Sequence, residues 1–249
     1  FTKPFAVEHL LERSLDLSLD AHLAEVKELI EENKLALAAD KFFDFRVADL
    51  SMGSGHFLIS AIDRMELKMA AFLVENPIPA IAQELDRLEA AAVSALGAAV
   101  GEYQIEFGAL LRRQIARRCI YGLDINEIAV ELTRVAIWIH TFVPGLPMST
   151  LDHTLVCANS LTGIGTINEA LEALEPERKA GMPSLFAFEI ERALEEAKKL
   201  LIDAANSTEA TKAEVKEAAE TARAAAEAAA PTRLLFDAAV AARIGEIDS

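Results

Sequence analysis

Three short apolar runs, each leading to a polar side chain and separated by helix-patterned sequence, constrain this chain more than any other feature. Residues 43–51 contain Asp49, residues 119–125 contain Asp124, and residues 154–158 stop just before Asn159. Between them, residues 54–75 and 127–141 carry apolar side chains at helical spacing. Such alternation predicts a parallel sheet covered by helices on both faces. Right-handed crossovers then bring the strand ends to one edge, where folds of this kind take their ligands. Asp49, Asp124 and Asn159 are expected along that edge.

The stretch from Val47 to Leu58 is the richest part of the pattern. A strand-like run ends on Asp49, and Gly53-Ser-Gly55 turns directly into a helix. Glycines allow a backbone to approach a ligand where side chains would block it. Free N–H groups at the start of the next helix favour electron-rich ligand groups. The plain alternative is an ordinary tight turn. A carboxylate at the end of the second strand, Asp124, can accept hydrogen bonds from both hydroxyls of a ribose. The dinucleotide fingerprint needs a small residue where Leu58 stands, and an acid only about 20 residues further on. A nucleoside without a pyrophosphate suits this spacing better, and S-adenosylmethionine is such a ligand.

Bulk properties narrow the class. Just over half of the 249 residues are apolar, enough for a substantial core. No apolar run reaches the roughly 18–20 residues of a membrane span, and no basic-then-apolar leader opens the chain. A cytosolic location is expected, with Cys119 and Cys157 as buried, reduced thiols. A net charge of −16 argues against a surface that is nucleic-acid footprint throughout. The Ala- and Glu-rich stretches 185–205 and 212–229 predict a surface helical hairpin. Thr211-Lys-Ala-Glu214 forms a capping box, Pro231 ends that helix, and a further helix spans Leu234 to Ile244.

Three ordered motifs together resemble a known family. Asp49-x-x-x-Gly53-Ser-Gly55-His-Phe57-Leu is followed by Gly122-x-Asp124-Ile-Asn126-x-x-Ala129-Val-Glu131-Leu. Asp152-His-x-Leu-x-Cys-x-Asn159-Ser-Leu161 then completes the set. The whole is similar to the adenine-N6 DNA methyltransferases of bacterial restriction-modification systems, and to the large type that fuses modification with restriction. The opening Phe1-Thr-Lys-Pro4 resembles that family's cofactor-side segment. The resemblance covers about residues 1–163.

The resemblance implies an incomplete Rossmann-like, S-adenosylmethionine-dependent methyltransferase α/β sheet. A helical segment (1–42) would precede a core (43–163) that carries a helical insertion at about 77–115, and a helical tail (164–249) would follow. Asp49, Gly53 and Gly55 would line the methionine part of S-adenosylmethionine, with Phe57 nearby. Asp124 would hold the ribose, Ile125 would pack on the adenine, Asn159 would lie at its edge, and Thr2 would lie near the carboxylate. Phe57 and Ile125 also have a plain reading as core residues, Asn159 as a turn residue, and Trp138 as helix core. His56 is read as a structural or cofactor-shell residue with no catalytic role assigned, and no metal is implied.

Two departures from the family matter. Leu50 and Met52 stand where the family has Pro and a small residue, and Met52 is expected to narrow the glycine loop. The family's Asn-Pro-Pro-Tyr motif, which holds and stacks the flipped adenine, does not occur; Asn76-Pro-Ile-Pro79 matches only in part and comes too early. No catalytic residue is therefore assigned. The chain is expected to stop short of the catalytic centre, and double-stranded DNA would be bound through regions mostly outside it. The alternatives are an RNA or protein methyltransferase, or a non-catalytic structural or specificity module of a restriction complex.

Overall fold

The computed structural model describes residues 3–97, 105–151, 153–161, 163–175 and 187–245. Two compact units divide the chain. Phe1–Cys157 with Thr208–Val215 form the first, and Ala158–Ser207 with Lys216–Ser249 form the second.

The first unit opens with α1 (Pro4–Leu11) and α2 (Leu17–Glu31), joined by a π turn over Glu12–Asp16. Val7, Leu11, Leu15 and Leu19 are all buried. Their four-residue spacing would drift steadily around an α-helix, and the wider π turn takes up that drift. Asn33, at φ +59°, breaks the helix before α3 (Leu35–Phe42).

Then come β1 (Val47–Asp49), α4 (His56–Glu75), α5 (Pro79–Leu96), α6 (Phe107–Arg118), β2 (Ile120–Asp124), α7 (Glu127–His140) and β3 (Leu155–Cys157). The segment expected as a helical insertion, about 77–115, carries α5 and most of α6, which ends at Arg118. Leu58, Ile62, Met65 and Met69 of α4 are fully buried. Each such side chain is worth about 1.5–3 kcal/mol relative to exposure.

The three strands are parallel, in the order β1-β2-β3, with Asp49 opposite Gly122 and Asp124 opposite Cys157. The alternation of strand and helix is therefore observed, but among the described residues cover on both faces is not. Ile120, Gly122 and Leu155 are buried, whereas Ala48 and Val156 are exposed, and Tyr121 and Leu123 are only half-buried. The reason is topological. Two right-handed crossovers that step in the same direction put their helices on the same face. Covering the other face would require chain that crosses back.

Cys119 precedes β2 and is buried, as expected, whereas Cys157, the last residue of β3, is exposed and not buried as expected. The Cys157 thiol donates to the Ile125 carbonyl at 3.6 Å. Trp138 is half-buried against the core, and its indole N–H donates to the Ser149 carbonyl at 2.7 Å. The outer face of α7 leaves Ile128, Leu132 and Ile139 more than half exposed.

The second unit holds α8 (Ile167–Leu174), α9 (Ala187–Asn206) and most of α10 (Lys212–Ile244). Thr166 caps α8 by accepting the Glu169 N–H at 3.2 Å. Buried positions in α9 and α10 recur every seven residues: Ile190, Ala197 and Ala204, then Ala218, Ala225, Thr232 and Ala239. The capping box forms as expected: Thr211 Oγ1 accepts the Glu214 N–H (3.2 Å) and the Glu214 carboxylate accepts the Thr211 N–H (3.1 Å). Pro231 does not end the helix but lies inside α10. Proline removes one helical hydrogen bond at a cost of about 3 kcal/mol, and strong alanine propensity on either side carries the helix through it.

Candidate functional site

The chain leaving β1 folds into a loop that is stitched at several points to β2 and α7. Asp49 Oδ1 accepts the Ser51 N–H at 3.0 Å, which starts the turn. The Met52 N–H donates to the Leu123 carbonyl at 3.0 Å, extending the ladder beyond β1. Gly53 and Gly55 adopt φ +55° and +76°, left-handed conformations that favour glycine. Gly55 caps α4, its carbonyl accepting the Ile59 N–H at 2.9 Å.

The two glycines have different roles. A Cβ on Gly55 would lie 2.6 Å from Thr133 Cγ2, so this glycine makes room for α7. A Cβ on Gly53 would meet nothing within 4 Å, so the backbone there faces open space. Thr133, fully buried, also donates its hydroxyl to the Gly53 carbonyl at 2.8 Å. Sequence reading missed Thr133. Its signal is a polar residue on the buried face of α7, between Val130 and Ile137.

Asp124 joins the two motifs. Its Oδ2 accepts the Gly53 N–H at 2.9 Å, across 71 residues of sequence, and its Oδ1 accepts the Asn126 N–H at 2.9 Å. These bonds, Asn126 first and Gly53 next, hold the carboxyl below the usual aspartate range, against a smaller opposing effect of burial. Asn126 then caps α7, accepting the Ile128 N–H at 3.0 Å. A carboxylate offers about four lone-pair sites. Asp124 therefore keeps acceptor capacity towards solvent.

Ile125, directly after it, is 71% exposed and is not a core residue. Phe57 is half-buried against the core. Met52 departs from its expected role. It is 4% exposed and points beneath the loop, where a Cβ on Gly122 would come within 2.2 Å of its sulfur. It fills the space that Gly122 leaves and does not narrow the loop's outer side. Leu50 is exposed.

The first unit thus brings together Asp49, Gly53, Gly55, Phe57, Asp124 and Ile125. Asn159 belongs to the second unit, where its side chain accepts the Leu161 N–H at 2.9 Å in an exposed turn. Thr2 lies outside the described residues. Among the described residues no group of three or more His, Cys, Asp or Glu side chains is placed to hold a metal ion. No helix among them is long and apolar enough to cross a membrane.

Comparison with known proteins adds one relative. A Methanocaldococcus jannaschii protein, provisionally named a type II restriction enzyme and methyltransferase, is 28% identical over 158 residues. The alignment covers 58% of this chain and 11% of that protein, so the chain spans about a tenth of the relative's length. No family model matches the chain, and no solved structure matches it.

Proposed function

We propose that this chain is the cofactor-binding part of a restriction-modification DNA methyltransferase, with S-adenosylmethionine as cofactor and adenine N6 as the acceptor class. The observation that carries the reading is the hydrogen bond from Gly53 to Asp124. It joins the glycine turn of one strand end to the carboxylate of the next, the pairing that nucleoside recognition needs. The name borne by the aligned relative points the same way.

The residues present suit the cofactor. Asp124 retains lone pairs for ribose hydroxyls, Ile125 offers an exposed apolar side chain to an adenine face, and the open side of Gly53 admits a ligand backbone to backbone. Asn159 and Thr2 are proposed for the adenine edge and the carboxylate end. The bound cofactor supplies a methyl group on a sulfonium leaving group, so the protein contributes orientation and desolvation. The 249 residues contain no Asn-Pro-Pro-Tyr motif to hold a flipped adenine. The chain by itself is therefore proposed to bind cofactor weakly and not to methylate DNA.

A second reading has one observation in its favour. The Gly53 N–H, a candidate ligand donor, is already bonded to Asp124. That suits a module which kept the fold and lost the ligand.

Titration calorimetry with S-adenosylmethionine separates the two readings, with Asp124→Ala as control. Binding that the substitution abolishes supports the cofactor site. Equal binding by both proteins removes the ribose assignment, and no binding of any adenosine ligand supports the structural module. Methylation of DNA by the chain alone would overturn the division of roles.

A further inference from the structure

Thr208–Val215 is a short strap grouped with the first unit, although the chain on both sides of it belongs to the second. Arg87 reaches two points along it, donating to Thr208 Oγ1 at 3.4 Å and to the Glu214 carboxylate. Glu209, between those points, is turned inward. It is 1% exposed and sits at φ +51°, a conformation that residues with a Cβ seldom adopt.

What holds it there is built from two distant pieces of chain. Thr150 donates its N–H to Glu209 Oε2 at 3.1 Å and its hydroxyl to Oε1. Arg117, on α6, places Nε 3.0 Å from Oε2. Arg113, one turn earlier, donates to the Glu209 carbonyl at 3.1 Å and lies 4.0 Å from the carboxylate. Gln114 Oε1 accepts from Arg117 Nη1 at 3.0 Å and fixes its plane. Arg113, Gln114 and Arg117 are each 3% exposed or less.

The cluster has more donors than Glu209 uses. Two guanidinium groups face one carboxylate, and Arg113 Nε and Gln114 Nε2 are buried without a hydrogen-bond partner. Glu84, the nearby carboxylate of α5, faces Arg118 at 3.3 Å. Burial draws Arg113 down to about 10 and moves Arg117 in the same direction, yet a guanidinium stays charged at neutral pH. Paired guanidinium forks with spare N–H groups are the chemistry that recognises carboxylates and other compact oxyanions.

We propose that Arg113, Gln114, Arg117 and Thr150 form an oxyanion-binding socket, and that the carboxylate of Glu209 is its internal ligand, fastening the strap. An external carboxylate of the same size would occupy the socket when Glu209 is removed. This site is independent of the proposed cofactor edge, because none of its residues contributes to the glycine loop or to Asp124.

The test uses the full chain and four proteins: wild type, Glu209→Gly, Glu209→Gln, and Glu209→Gly with Arg117→Met. Thermal midpoints and protease cleavage within residues 207–211 are read in sodium formate and in sodium chloride at matched ionic strength. Glu209→Gly relieves the backbone strain, so a loss of stability reports the missing carboxylate; the expected drop is about 6–12 °C. Formate is expected to restore about half of that drop and to slow strap cleavage, with no such gain in wild type or in the Arg117→Met double variant. Equal effects of formate and chloride on Glu209→Gly would overturn the socket, as would a formate gain in wild type of the same size. Glu209→Gln keeps the shape and removes the charge. It guards against a glycine variant that fails to fold, and a wild-type midpoint for it would also overturn the proposal.

Discussion

Asp124 and Glu209 are both carboxylates that accept hydrogen bonds from chain distant in sequence, Asp124 from Gly53 and Glu209 from Thr150, and they have opposite fates. Asp124 lies where the chain leaves the sheet. It accepts two backbone N–H groups, remains partly exposed, and keeps lone pairs free. Glu209 is held by the elements that lead into β2 and β3. It is sealed among two guanidinium groups and a threonine, and is 1% exposed. The cysteines repeat the contrast: Cys119 precedes β2 and is buried, whereas Cys157 ends β3 and is exposed. Within the first unit, one end of the strands is closed by packing and buried charge, and at the other Asp124 is partly exposed and Ile125 and Cys157 are exposed. Charge is stabilising in one place through burial and in the other through bonds that water could also supply.

The contrast can be broken most directly by deleting one charge from each edge. Arg117→Ala leaves Glu209 short of its closest cation and is expected to cost about 3–5 kcal/mol in urea denaturation. Asp124→Ala exposes two N–H groups that water can satisfy, and is expected to cost about 1 kcal/mol or less. Equal losses would mean that the two edges are energetically alike.

The two glycines sharpen the same point within the loop. Gly53→Ala places a Cβ in open space at positive φ, for about 1–2 kcal/mol. Gly55→Ala adds a clash with Thr133 to a similar strain, for about a further 1–3 kcal/mol. Chemical denaturation of the pair orders them, and the reverse order would place Gly55, not Gly53, at the open side.

Acid titration gives a smaller effect. Asp124 is held below its ordinary value, so its contribution to stability is complete above about 3.8 and is lost as pH falls through the lowered value. Between pH 5 and 8, Asp124→Asn is expected to leave the shape of the stability profile unchanged, and below pH 4 to flatten its fall. A variant profile that diverges near neutrality would contradict this.

Thiol labelling perturbs least. Burial raises Cys119 to about 12, so iodoacetamide is expected to modify Cys157 in the native protein and both cysteines only after unfolding. Mass spectrometry of the alkylated chain counts the adducts, and two in the native state would place the edges on equal terms.

The open edge was largely legible in advance because its signals are local. Asp49, Gly53, Gly55 and Asp124 all lie at or just beyond strand ends that apolar runs mark out, and the Thr211–Glu214 capping box is equally short-range. Several features were not legible, among them the buried Thr133 and the exposure of Cys157. Met52 was expected to crowd the loop, because its pairing with Gly122 joins residues on different strands. Pro231 was expected to end a helix, because its local cost is visible and the propensity of a long alanine-rich flank is not. The uncovered sheet face follows from the direction of strand stepping, which an alternation of elements does not state.

Sequence by itself determined the alternation of strand and helix, the positions of the strand-end carboxylates and the left-handed glycine turn, since each depends on residues within a few positions of one another. Only the tertiary structure decided which glycine faces solvent, where Met52 points, and that Arg113, Arg117 and Glu209 meet at all. Glu209 stands in a short polar connection that carries no local sign of burial. Its environment is assembled from α6, the 149–151 segment and the strap, and burial of charge becomes tolerable only when all three are in place.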